Sequence, residues 1–154
     1  LVDSGADMAT LAHAIHDPAE LFNPSVCKVV MKANADALYF SRAPIPFARD
    51  DFSADWQQGR FSTTLPQNGY ACYRHIGLYA YRRRFLHDYA GLAASPLESI
   101  EALEQLRALW HGYRISVAVT ETLPPAGVDT PEDATRAQQV FAAQFAALRI
   151  DPPL

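Results

Sequence analysis

Nine residues near the middle of the chain, Tyr73-Arg74-His75-Ile76-Gly77-Leu78-Tyr79-Ala80-Tyr81, constrain the fold more than any other stretch. They read as a strand, and side chains alternate sides along a strand. Tyr73, His75, Gly77, Tyr79 and Tyr81 therefore share one face. Cys72, Ile76, Leu78 and Ala80 share the other, with Arg74 as its only charge. The second face is expected to be core. The first sets an imidazole and a phenol about 13 Å apart, at about 3.3 Å per residue, with a glycine between them that leaves room for something to approach the backbone. Two readings stand at this point: an aromatic-rich sheet face covered by a helix, and a face that receives a ligand.

With 154 residues the chain is one domain by size, or a large piece of one, and is long enough to bury a core. A hydrophobic content of 49% argues against disorder. No run approaches the roughly 18 apolar residues of a membrane helix, so a soluble protein with no membrane partner is expected. A net charge of -4, with Lys28 and Lys32 as the only lysines, argues against nucleic acid as a partner. The basic triplet Arg82-Arg83-Arg84 reads as a solvated helix start. Cys27 and Cys72 have no CxxC spacing, so neither a disulfide framework nor a zinc site is suggested, and a reducing cytoplasm fits. Leu1-Val2-Asp3-Ser4 has no signal-peptide character, and the expectation is the carboxyl-terminal part of a longer protein.

Along the chain, Met8 to Ile15 reads as a strand, in which His13 and His16 would face opposite sides and would not share a metal. Asp17-Pro18-Ala19-Glu20 starts a short helix, with an acceptor at the cap and proline first. Cys27–Met31 and Ala37–Ser41 flank Ala33-Asn34-Ala35-Asp36 as a hairpin. Two prolines in Arg42-Ala43-Pro44-Ile45-Pro46 hold the chain extended, so that Arg42 and Arg49 leave a sheet edge on a stiff segment. Arginines there could grip a carboxylate or phosphate bidentately, while Arg49 could equally pair with Asp50 or Asp51. Phe52 to Gly69 reads as a long surface loop.

Arg83 to Tyr89 is a short helix. Ser95-Pro96-Leu97-Glu98 then carries a capping box and opens the strongest helix of the sequence, with Ile100, Leu103, Leu106 and Trp110 as its buried stripe. Glu104 and Arg107 suggest a partly buried pair beside that stripe, and Glu101 and Gln105 align at i, i+4 on the next face. Arg114–Val119 is a strand. In Gly127-Val128-Asp129-Thr130-Pro131-Glu132-Asp133, Thr130 caps a last helix whose Ala137, Val140, Phe141, Phe145 and Leu148 are expected to point inward. A carboxylate such as Asp129, held at a loop-to-helix junction, can ligate Mg²⁺ beside phosphate and water.

Four of these stretches together resemble the 3-deoxy-manno-octulosonate cytidylyltransferase (CMP-Kdo synthetase) family. They are Ala37-Leu38-Tyr39-Phe40-Ser41-Arg42-Ala43-Pro44-Ile45-Pro46, Arg74-His75-Ile76-Gly77-Leu78-Tyr79-Ala80-Tyr81, Ser95-Pro96-Leu97-Glu98 with Glu101-Ala102-Leu103-Glu104-Gln105-Leu106-Arg107, and the segment from Gly127 to Asp133. The resemblance implies displacement of pyrophosphate from CTP by the anomeric hydroxyl of Kdo, an eight-carbon acidic sugar of lipopolysaccharide, in the bacterial cytoplasm. It implies that His75, Tyr79, Glu104 and Gln105 bind sugar hydroxyls, that Arg42 and Arg49 meet the sugar's carboxylate, that Asp129 is one of two magnesium-binding aspartates, and that the protein is a homodimer. The implied fold is α/β, a three-layer mixed sheet forming part of a nucleotide-diphospho-sugar transferase (Rossmann-like) fold truncated at the amino end.

Two departures stand against the family pattern. Phe47-Ala48-Arg49 replaces an aromatic followed by Asp-Arg, and the loop before the central strand is longer. The family's phosphate-binding loop and its Gln-Gly-Asp segment are absent, and no glycine-rich phosphate loop of another kind occurs. Residues 1–154 are thus expected to be the sugar-binding and dimerisation part of a single cytidylyltransferase domain whose nucleotide-binding half is missing. Other readings are an inactive sugar-side module, dimerising near Phe47–Tyr89, a cytidylyltransferase for another acidic sugar such as sialic acid, and a binding-only sensor.

Overall fold

The computed structural model describes residues 3–60, 62–67, 69–122 and 131–148. They fall in two units, Leu1–Glu121 and Thr122–Leu154. The first unit holds strands β1 (Met8–Ala14), β2 (Lys28–Met31), β3 (Ala37–Ser41), β4 (Tyr73–Tyr81) and β5 (Ile115–Val119). Its helices are α1 (Pro18–Phe22), α2 (Arg49–Gln57), α3 (Arg83–Tyr89), α4 (Pro96–Glu101) and α5 (Gln105–Trp110). One sheet of order β3-β2-β4-β1-β5 collects the strands, antiparallel except for the parallel pair β1 and β5. This is the mixed α/β sheet expected from the sequence.

The central strand is β4, and of the two readings of its aromatic face the one in which helices cover it holds, while the face expected to be core is buried at Cys72 but not at Leu78. Met8, Thr10 and Ala12 of β1 pair with Tyr81, Tyr79 and His75, and directly paired residues share a face. Met8, Thr10 and Ala12 are buried, so the aromatic face is the packed one. Leu78, assigned to the core by alternation, is 63% exposed. The reason lies in the helices, since Phe85 of α3 with Leu106 and Ala108 of α5 join Met8 and Ala12 in the main core on the aromatic side. The strand is also not regular. Thr10 lies opposite Tyr79 but Leu11 lies opposite Ile76, which leaves Gly77 and Leu78 unopposed in a bulge.

The hairpin of β2 and β3 is as expected. Its turn passes through Ala35 at φ 63°, and the Asn34 side chain accepts from the Asp36 amide at 3.2 Å. Asp36 is buried and receives Nε and Nη2 of Arg114 at 2.9 and 3.3 Å, which hold its carboxyl below the usual range. The Val117 amide donates to Ala35 O at 2.8 Å, so the hairpin tip is tied to β5 at the other end of the strand order. The sheet therefore curls. At the hairpin's base Lys28 is fully buried, and its Nζ donates to the carbonyls of Asn23 (2.9 Å), Val26 (2.6 Å) and Arg42. All three ammonium protons are used, while burial lowers the lysine pKa to about 8.

Two helical expectations need correction. The stretch expected as loop from Phe52 begins inside α2, whose acids Asp50 and Asp51 in the first turn favour a helix start. Phe52 is buried edge-on to Phe22, with ring centroids 5.2 Å apart, in a second small core with Ile15, Leu21 and Cys72. The helix expected to run on from Ser95 is broken into α4 and α5 by Ala102, which is left-handed at φ 51°. The capping box forms as expected, with Ser95 Oγ accepting from Glu98 N at 3.0 Å and Glu98 Oε2 accepting from Ser95 N at 3.3 Å. The break resets the 100° count, so Leu103 and Leu106 are buried while Ile100 is 79% and Trp110 54% exposed. Arg107 pairs with Glu98 rather than with Glu104.

In the second unit α6 (Pro131–Leu148) is the one described element. Val140 and Phe141, expected to point inward, are exposed, and among the described residues of this unit no second element packs against the helix. The side chains of Phe145 and Leu148 lie outside the described residues.

Candidate functional site

Where α5 starts over β4, a cavity of about 190 Å³ opens between Met8, Tyr79, Tyr81, Phe85, Leu86, Tyr89, Glu104, Gln105 and Ala108. Its wall is aromatic. Tyr79 stacks on Tyr81 (5.8 Å, 26°), Tyr81 on Phe85 (5.9 Å, 7°), and Phe85 meets Tyr89 at 5.4 Å. Such rings offer flat apolar faces with polar tips. Burial, with Tyr81, Cys27 and Glu104 nearby, raises the Tyr79 phenol well above its ordinary value, so it remains a hydrogen-bond donor at neutral pH. Burial raises Tyr81 and Tyr89 in the same direction.

The polar groups come from the helix break. After the left-handed residue Ala102 the chain enters α5 at once, with exposed Glu104 at the N-cap and Gln105, 4% exposed, as its first residue. The Gln105 amide donates to Cys27 Sγ at 3.8 Å, a thiol that burial pushes up to about 11 and so keeps protonated. His75 stands beside the cavity wall, its ring centroid 5.3 Å from that of Tyr79 and 4.9 Å from Phe40. The bulge at Gly77 and Leu78 contracts the strand between the two residues, which is why the rings are far closer than the spacing of a regular strand. Burial lowers the His75 pKa to about 4, leaving the imidazole neutral at pH 7.

Tyr79, Glu104 and Gln105 thus line one cavity, with His75 against Tyr79. Arg42 lies apart from the lining. Its Nε donates to Glu101 O at 2.8 Å, Nη1 to Pro24 O at 3.0 Å and Nη2 to Ala102 O at 3.3 Å. Its amide donates to Glu101 Oε2 at 2.9 Å. In this structure Arg42 fastens the α4–α5 break that presents Glu104 and Gln105. Arg49 pairs with Asp50 at 2.8 Å on the surface, as one of its two readings had it. Asp129 lies outside the described residues. Among the described residues no group of three or more His, Cys, Asp or Glu could hold a metal, and His13 instead hydrogen-bonds Thr120 O at 2.9 Å. Sequence reasoning missed Thr10, Cys27, Phe85 and Tyr89. The signal for Thr10 was a lone hydroxyl on the apolar face of Met8 and Ala12.

A family model described as cytidylyltransferase matches residues 1–115. The chain belongs to the cytidylyltransferase family. Among solved structures it is similar to CMP:2-keto-3-deoxy-manno-octonic acid synthetase complexed with CTP, at 36% identity and a TM-score of 0.75. The match covers 93% of this chain and 52% of that one, so this cytidylyltransferase chain spans about half the length of the enzyme it resembles. As a family member it has the α/β nucleotide-sugar transferase-like fold, and its relatives are nucleotidyltransferases. Among the described residues no helix is long and apolar enough to cross a membrane.

Proposed function

We propose that this chain forms the sugar side of a CMP transfer from CTP to Kdo, yielding CMP-Kdo and pyrophosphate for lipopolysaccharide assembly in the cytoplasm. The observation that carries the proposal is the convergence of Tyr79, Glu104 and Gln105 on one aromatic-walled cavity beside His75. Neutral donors, a neutral imidazole and one carboxylate suit a polyhydroxylated ligand, and stacked rings suit its apolar C–H face. In the reaction the anomeric hydroxyl oxygen bonds to the α-phosphorus, the bond to the bridging oxygen of the β-phosphate breaks, and pyrophosphate leaves with that electron pair. The hydroxyl proton passes to a base or solvent. The chain's own residues hold and orient the sugar, and such positioning is a major part of catalysis in these transfers. Mg²⁺, when bound, neutralises phosphate charge, and Asp129 is its proposed ligand, one carboxylate plus phosphates and water being an ordinary magnesium set.

The other substrate needs a second structural part. The sequence has no glycine-rich phosphate loop. On the side of β4 away from β1, β2 pairs only with Tyr73 and Arg74, and among the described residues no strand lies beside Ile76–Tyr81. That open edge runs along the strand that carries Tyr79. We therefore assign the nucleotide-binding half to this edge, where it would bring the α-phosphate to the sugar, and take the isolated 154 residues to be inactive. Homodimerisation is proposed between Phe47 and Tyr89, where Phe47, Tyr70, Leu78, Tyr81 and Leu86 are exposed. Sedimentation at micromolar concentration tests it.

The deciding experiment measures pyrophosphate release with CTP and Mg²⁺, Kdo beside sialic acid, using this chain and the whole polypeptide that contains it. Release with Kdo only by the longer protein is expected. Release with sialic acid alone would move the assignment to another acidic sugar, and no release from the longer protein with either would end the transfer reading.

A further inference from the structure

We infer that Thr10 is a positioning residue, fixing His75 as the Nε2–H tautomer and folding the bulge that brings His75 up to Tyr79. Thr10 sits in β1 on the packed face between Met8 and Ala12 and is buried. Its single hydroxyl has three polar neighbours: His75 Nε2 at 2.8 Å, Ile76 O at 3.0 Å and Leu78 O at 2.9 Å. A hydroxyl has one proton to give, and a carbonyl can only accept. If the proton went to the imidazole, both carbonyls would face a bare oxygen at hydrogen-bonding distance. The arrangement is satisfied when the proton is shared between the carbonyls and Oγ1 accepts from Nε2–H. Nδ1 then carries the lone pair.

The two carbonyls belong to the residues on either side of Gly77, so one hydroxyl clasps both ends of the bulge. This clasp accounts for the bulge. For ligand recognition the consequence, which rests on the sugar-site reading above, is selectivity between kinds of polar group. A neutral imidazole with a bare Nδ1 accepts from a sugar hydroxyl and offers nothing to a carboxylate or phosphate.

The test is imidazole ¹⁵N NMR on the 154-residue chain, wild type beside Thr10→Val and Thr10→Ser, with Kdo titrated into each. Wild type is expected to show one Nε2–H tautomer for His75. Thr10→Val should lose it for a mixture and weaken Kdo binding at least 10-fold, and Thr10→Ser should restore both. A wild-type Nδ1–H tautomer, or a Thr10→Val spectrum identical to wild type, would overturn the inference. Should Thr10→Val fail to fold, the wild-type tautomer and the Thr10→Ser spectrum still decide it. A tautomer that responds as expected in a chain that binds no Kdo would uphold the role of Thr10 and count against the sugar reading alone.

Discussion

Glu98 and Arg107 meet across the break at Ala102, with Arg107 Nε and Nη2 donating at 2.7 and 2.6 Å to the two carboxylate oxygens. The same carboxylate closes the capping box with the Ser95 amide. Arg107 also lies over the Tyr89 ring, 5.1 Å from its centroid. One carboxylate therefore joins the start of α4 to α5 and to the cavity wall. Glu98→Gln keeps an oxygen for the cap but loses the charge, and faster amide exchange at Leu103–Leu106 is the expected outcome. Because Arg107 holds the Glu98 carboxyl below its usual range, this contribution is present above the ordinary carboxylate pKa and is lost as pH falls through the lowered folded value. Exchange rates unchanged in Glu98→Gln would refute it.

Lys28→Met should be among the most damaging single changes. It removes the ammonium donor from the carbonyls of Asn23, Val26 and Arg42, a loss of about 1 to 3 kcal/mol for acceptors left unsatisfied. Urea unfolding measures it, and a change below about 1 kcal/mol would show that the ammonium is dispensable.

Protonating His75 should destabilise the fold. Its folded pKa, about 4, lies below the unfolded value of 6.5, so the contribution is complete above 6.5 and is lost progressively down to 4. The loss is on the order of 2 to 3 kcal/mol. Comparing unfolding at pH 7 and pH 4.5 for wild type and His75→Asn checks it, since the substitution should flatten that part of the profile.

Burial raises both thiols, Cys27 to about 11. Iodoacetamide at pH 8 should leave the native chain essentially unlabelled and modify both cysteines once it is denatured. Rapid labelling of native Cys27 would mean that the wall behind Gln105 is open to solvent.

Within the cavity, Gln105→Leu and Tyr79→Phe should each weaken Kdo binding about 10-fold, or about 1.4 kcal/mol, by removing one buried polar partner. Calorimetry measures both. Wild-type affinity in the two variants would place the ligand elsewhere.

Much of this was legible in the sequence because local chemistry decided it. The Ser95–Glu98 capping box, the Asn34 turn and the alternation around His75 each depend on neighbours a few residues away, and each forms. What was not legible depended on distant partners. Ala102 has no local reason to turn left-handed, and it is Arg42, sixty residues earlier, that receives the carbonyls exposed there. Alternation around β4 marked two faces but could not say on which side α3 and α5 would lie. The bulge follows from a hydroxyl on another strand. Glu104 and Gln105 were found through the resemblance, and their shared cavity with Tyr79 became visible only once the helix was broken.

The unopposed residues of β4 come as a pair, and the parity has its own consequence. Each residue added to a strand swaps the faces of everything after it, whereas two restore the phase. Tyr79 and Tyr81 therefore stay on the same side as His75 although the ladder has skipped. Replacing Leu78 by another residue leaves this phase intact, but deleting it would carry both tyrosines to the opposite face. At this point the chain tolerates spelling errors but not miscounting, and any transplanted version of the strand must keep its count even.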